Sequence, residues 1–121
     1  MTREHGNLLK EWQERLGLMD WVIVLEDSCS IDEMGDSETN GYANYQETNK
    51  TAVIQILNPI HYGERVVPFD WEKTLVHELL HLKTCLLSDT DDKLQERLFH
   101  QWIDDFARAF VDAKRSGQKE G

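Results

Sequence analysis

The chain is poor in cysteine, in positive charge and in long apolar runs, and each scarcity removes a class of protein. Its two cysteines, Cys29 and Cys85, stand 56 positions apart, with no CxxC. Two are too few for a disulfide framework, so reduced thiols in a cytoplasmic protein are expected. Lys and Arg number 13 against 23 Asp and Glu, a net charge of −10. Sequence-independent nucleic-acid binding relies on cations that neutralise phosphates, and no basic cluster stands out, so no nucleic-acid partner is expected. No apolar run approaches the ~18 residues of a membrane span. The opening MTREHGNLLKEW is too polar for a signal peptide, so no membrane partner is expected either.

What remains is a single domain's worth of ordinary globular sequence: 121 residues, 40% hydrophobic and 30% charged. Leu8, Leu9, Trp12 and Leu16 recur at helical spacing and Gly17 follows as a stop, which predicts an amphipathic helix over 5–16. DWVIVLED, 20–27, reads as a strand buried on both faces. SCSIDEMGDSETN, 28–40, is polar and acidic and reads as a loop. GYANYQE (41–47) and TAVIQIL (51–57), separated by the turn residues TNK, predict a hairpin. The stretch 58–69 holds the only two prolines, Pro59 and Pro68, together with Gly63, and reads as a connection. Asp70 is a candidate N-cap for a helix from Trp71 to about Leu87. SDTDD, 88–92, reads as a turn. A last helix over roughly 92–114 is expected to bury Leu94, Leu98, Phe99, Trp102, Ile103, Phe106 and Phe110, with a frayed tail from about 115. The four tryptophans, Trp12, Trp21, Trp71 and Trp102, are expected to staple helices onto the sheet. Helices segregated from hairpin-joined strands predict an α+β domain.

One stretch carries chemistry: TLVHELLHLK, 74–83. His77 and His81 are four apart, so a helix places both imidazoles on one face. Two neutral imidazoles one turn apart can share a Zn²⁺. Glu78 stands one step round from His77, beside the metal, where a base can take a proton from water. Five His and twelve Glu in this length produce HExxH by chance roughly one or two times in a hundred. The competing reading is a core helix with hydrogen-bonded histidines. It would leave a glutamate to be buried unpaired among Val76, Leu79, Leu80 and Leu82.

A catalytic zinc takes three protein ligands and keeps an open position. Position 84 is Thr and no histidine follows closely, so the metzincin pattern fails. Glu96 and His100, four apart on one flank of the last helix, are the candidates, with Asp104 a further turn along. Cys85, four past His81, is read as packing.

With HELLH between a short sheet and a terminal helix, the chain resembles the minimal zincin metallopeptidases, closest to a group of small metallopeptidases common in phages and prophages. SprT-like and ImmA/IrrE-type proteins are more distant relatives of the same class. WQERLGLMDWVIVL (12–25) looks like that group's opening helix and strand. TAVIQIL looks like the strand bordering the cleft, DWEKTLVHELLHLK (70–83) like the motif helix, and HQWIDDFARAF (100–110) like the terminal helix. The resemblance implies a single zincin-like domain over 1–121, with a small sheet whose edge strand, 51–57 or its partner 41–47, pairs with an extended peptide. The group's third ligand is a glutamate whose place falls on His100 here. SprT-like proteins are similar in using a third histidine, near the place of Glu96. Both residues remain candidates, with His100 favoured.

The expectation is a zinc metallopeptidase acting on protein or peptide. His77, His81 and His100 hold Zn²⁺ and Glu78 is the general base. His61, Tyr62, Tyr42 and Tyr45 are available as oxyanion donors, and none is assigned. The alternative is a non-catalytic zinc-binding module that engages a partner protein. A third reading is a helical interaction protein without metal.

Overall fold

The fold is taken from a computed structural model that describes residues 2–35, 40–63, 68–85 and 92–120. Helix α1 (Arg3–Arg15) is followed by strand β1 (Val22–Cys29), the short helix α2 (Ile31–Met34), strands β2 (Gly41–Gln46) and β3 (Thr51–Leu57), a 3₁₀ turn at Pro59–His61, and helices α3 (Trp71–Lys83) and α4 (Lys93–Glu120). The domain is α+β, with four helices and a small three-stranded mixed sheet. No helix among the described residues is long and apolar enough to cross a membrane.

Local chemistry explains most boundaries. The Thr2 hydroxyl accepts from the His5 N–H to open α1, and Gly17, at φ +70°, turns the chain away after it. Asp70 caps α3 by accepting from the Lys73 N–H, as expected. Asp92 accepts from the N–H groups of Leu94 and Gln95 and so opens α4. Ser30 and Glu33 form a reciprocal capping box around α2, which builds a turn of helix into the stretch read as loop. Helix α3 ends at Lys83, with Thr84 as its C-cap and Thr84–Cys85 in a turn, short of the expected end near Leu87; residues 86–87 and most of the turn 88–92 lie outside the described residues.

The hairpin forms as expected: β2 runs antiparallel to β3, in register from Gly41 opposite Ile56 to Gln46 opposite Thr51. Strand β1 joins the other side of β3 in parallel, giving the order β1-β3-β2. The strand 51–57 is therefore central and has no free edge. The edge beside α3 belongs to β2.

Helices cover one face of this sheet, and three expectations change accordingly. Strand β1 is not buried on both faces: Leu25, Asp27 and Cys29 point inward, while Val22 and Val24 stand in solvent. Trp102 is 49% exposed and staples nothing to the sheet, unlike Trp12 and Trp21. In α4 the buried line is Ile103, Ala107, Val111 and Lys114, whereas Leu94, Leu98, Trp102, Phe106 and Phe110 are exposed. Residues spaced by four advance about 40° around a helix per step, so that apolar row winds away from the core.

The core joins Trp12 and Leu9 of α1, Leu25, Ile54 and Ile56 of the sheet, Leu75, Val76, Leu79 and Leu82 of α3, and the buried line of α4. A buried ionic cluster runs through it. The Glu72 carboxylate accepts from Trp12 Nε1 at 2.7 Å, from Lys114 Nζ, and from Arg115 at 3.2 Å. Arg115 also forks onto Asp70 at 2.6 and 3.0 Å. The helix therefore does not fray from 115: it runs to Glu120, and Arg115 is tied to the start of α3.

Burial pushes the Glu72 and Asp70 carboxyls up, but their cationic partners and hydrogen bonds outweigh it and leave both below the ordinary value. A carboxylate whose folded pKa is depressed stabilises the fold above its unfolded pKa and loses that contribution as pH falls. Glu72→Ala should cost about 2–4 kcal/mol in a urea melt at pH 7, because it removes the most buried partner of Lys114 and leaves it only the Glu11 carboxylate, 3.0 Å away. The gap between variant and wild type should narrow as pH falls below the ordinary Glu value of 4.5. An unchanged gap at acid pH would count against the ion cluster as its cause.

Candidate metal centre

Helix α3 presents two opposite faces. Leu75, Val76, Leu79 and Leu82 are buried, while His77 and His81 lie together on a half-buried flank. Their Nε2 atoms are 3.2 Å apart. His100 reaches the same place from α4, with its ring centroid 5.0 Å from that of His81. Ligand atoms of all three residues lie within 4.8 Å of one another.

Donor chemistry and spacing both suit a metal ion. Two nitrogens arranged tetrahedrally around Zn²⁺ at about 2.0–2.1 Å would be about 3.3 Å apart, close to the distance found between His77 and His81. Burial lowers the His81 pKa to about 4, helped by the neighbouring His77 and His100. His77 is lowered too, by burial first, with Asp104 opposing. Both rings are therefore neutral at pH 7 and carry a free lone pair. Asp104 Oδ1 lies 3.5 Å from His77 Nδ1, which favours the tautomer with a proton on Nδ1 and leaves Nε2 available. Asp104 is itself paired with Arg108 one turn on.

Glu78 is 93% buried by exposed surface and, among the described residues, has no hydrogen-bond or ionic partner. Burial alone pushes its carboxyl up to about 8. It is covered by the first residue of β2. A Cβ built on Gly41 would stand 2.7 Å from Thr74 Cγ2 and 3.1 Å from Glu78 Oε2. Glycine is required there because the strand backbone passes so close to the helix.

The cleft beside this cluster has a volume of about 650 Å³ and is lined by Gly41, Tyr62, Thr74, His77, Glu78 and Arg108, among others. Of the four candidate oxyanion donors, Tyr62 lines it. Tyr42 and His61 are exposed elsewhere, and Tyr45 packs toward the core. Glu96 is exposed on the surface of α4 and does not join the histidine cluster. Cys85 is buried in the core, as expected. Gly41 and Arg108 were not singled out by the sequence, because neither carries a ligand pattern.

A second group, Glu26, Cys29 and Glu33, also brings three donor atoms together. It fits a metal less well. Burial, with Glu33 and Glu26 nearby, raises the Cys29 thiol pKa, and the thiol is held against the Glu26 carbonyl. A protonated thiol is a poor ligand.

Comparison with protein families, with characterised proteins and with known structures gives no match.

Gly41→Ala should lower stability by about 1–3 kcal/mol in thermal or urea melts, from the overpacking of a methyl against α3. Adding Thr74→Ser removes the closest atom and should restore part of the loss. Full stability in the single variant would mean that β2 can lift off the helix freely.

Proposed function

We propose that the chain is a zinc-dependent metallopeptidase of the minimal zincin type. His77, His81 and His100 hold the ion and Glu78 is the general base. The observation that carries this reading is the meeting of three histidines from two helices beside a buried, unpartnered glutamate at an open cleft.

Zn²⁺ held there would supply Lewis acidity and bring the pKa of a water toward ~7. The protein's own groups then divide the work. Burial holds the Glu78 carboxyl up at about 8, so it is mostly the neutral acid at pH 7; a cation bound beside it would bring that value down, and the carboxylate so formed can take a proton and hand it to the leaving amine. Asp104 holds the His77 ring in its ligating tautomer. Strand β2 is an edge strand whose first residue, Gly41, lines the cleft, and an extended peptide can add to it as a further strand. Tyr62 and Arg108 line the same cleft, as does Lys73, and are donors available to a bound carbonyl there. The substrate on this reading is protein or peptide, and a cytoplasmic, phage-type setting accompanies the resemblance.

A non-catalytic zinc module would need a fourth protein ligand to close the site. Glu96, the fourth ligand the sequence offered, lies outside the cluster, and no other donor joins the three histidines among the described residues. The catalytic reading is therefore preferred.

Elemental analysis after supplying zinc should find about one zinc per chain, as expected for a mononuclear three-ligand site. His77→Ala should lose it, His100→Ala should weaken it strongly, and Glu96→Ala should leave it unchanged. Asp104→Ala should weaken zinc binding about 10–100-fold. Glu78→Gln should keep the metal while peptide hydrolysis falls at least ~10²-fold. A wild-type chain that takes up no zinc at neutral pH would overturn the proposal. A metal-loaded chain that cleaves no peptide would leave the module reading in its place.

A further inference from the structure

Helix α4 has a second apolar face beside the one that meets the core, with the half-buried Phe99 at the border between the two. Read in steps of four and three, Gln95, Phe99, Trp102, Phe106, Ala109 and Ala113 form a seam with the 3.5-residue period of paired helices. Leu98 and Phe110 flank it, and both are exposed. Its rings are already packed on one another. Phe99 and Trp102 have centroids 5.9 Å apart, Trp102 and Phe106 meet edge-on at 4.7 Å, and Phe106 and Phe110 stack at 5.6 Å. Rings ordered in this way lose little further freedom when covered.

We propose that this seam is a homodimer interface in which α4 of a second copy lies antiparallel across it. The first argument is size. The seam is bulky at its N-terminal end and small at its C-terminal end. Antiparallel pairing sets Phe99 of each copy opposite Ala109 of the other, Trp102 opposite Phe106, and Gln95 opposite Ala113. A groove of about 330 Å³ lies at the small end, lined by Leu16, Phe110 and Ala113 among others, and can accept part of the bulky end. The face is therefore complementary to its own reversed copy, as a two-fold interface requires.

The second argument is charge. Helix α4 carries six Lys and Arg against five Asp and Glu, in a chain of net charge −10. The acidity that would drive copies apart resides in the rest of the chain. A face adapted to a basic partner would be acidic, and the six residues of this seam carry no charge. Asp105 borders the seam near the two-fold and is the one like-charge pair the arrangement brings close. It is exposed and keeps contact with water.

The third argument is area. Leu98, Trp102, Phe106 and Phe110, each 36–54% exposed, leave roughly 400 Å² of apolar side chain open per copy, taking about 150–250 Å² for a whole aromatic side chain. That is the size of the largest patch on a lone monomer, roughly 300–600 Å². With its polar rim it approaches the ~800 Å² per partner of a standard interface. His100 points to α3 instead, so the pairing leaves the cleft open.

Sedimentation velocity over a micromolar concentration series should give a species of twice the chain mass. Trp102→Glu combined with Phe106→Glu should convert it to monomer with unchanged helical circular dichroism. Cysteine cross-linking tests the orientation in an otherwise intact chain and does not depend on the charged variant folding. Mixed Gln95→Cys and Ala113→Cys chains should cross-link to each other. Gln95→Cys alone should not, because the two copies of residue 95 would be about 27 Å apart. The native Cys29 and Cys85 are buried and do not interfere. A wild type that stays monomeric throughout, a charged double variant that still dimerises, or self-cross-linking of Gln95→Cys would each overturn the proposal.

Discussion

The carboxylate of Glu72 fixes where the helices sit. It collects Trp12 from α1 and Lys114 and Arg115 from α4, while Asp70, two residues earlier, takes the other side of Arg115. A charge taken out of water is tolerated only with partners in good geometry, so the three helices can pack in few other ways. The cluster pins α4 near its C-terminal end. The opposite end of the contact is His100, 14 residues and about 21 Å along the same helix. A helix is stiff over that length. Holding Lys114 against Glu72 therefore helps decide that His100, rather than a neighbour, comes to His77 and His81.

The same helix shows what a partner does to a buried acid. Glu72 and Glu78 are six residues apart and almost equally hidden, at 8% and 7% exposed. Glu72 has three donors and its pKa falls; Glu78 has none among the described residues and its pKa climbs to about 8. Burial acts in one direction on both. The difference lies in whether a cation or donor stands within reach. One carboxylate is spent on architecture and stays charged, and the other is left free to exchange a proton. Perturbed acids without a structural partner gather at functional sites, which is why Glu78 rather than Glu72 marks the cleft.

How much of this could be read from the chain alone depended on range. Features set within one turn were legible: the Asp70 cap, the stop at Gly17, the shared flank of His77 and His81, and the hairpin of β2 and β3. Features set by what an element packs against were not. Val22 and Val24 looked like buried strand residues because the run is uniformly apolar, yet among the described residues no element covers them. Glu96 and His100 share a flank of α4, so spacing could not separate them. The height at which α4 crosses α3 does. The row Leu94–Leu98–Trp102–Phe106–Phe110 looked like a core stripe, and the core instead took Ile103, Ala107 and Val111, which include small residues that carry a weak signal. The tail after 114 looked polar and loose, but Arg115 has a forked anchor that is invisible until Asp70 is placed beside it.

The contact of Gly41 with α3 has a bearing on sequence drift. The strand and the helix are spaced for a hydrogen atom at position 41 and a threonine methyl at position 74. Neither size is free while the other is kept. Among descendants of this chain, the two positions are expected to covary by volume, although they are 33 residues apart and neither carries out chemistry. Redesign is bound by the same rule. Lengthening the side chain at 74 to strengthen the helix would unseat the strand that roofs Glu78, and that residue would become an ordinary wetted glutamate.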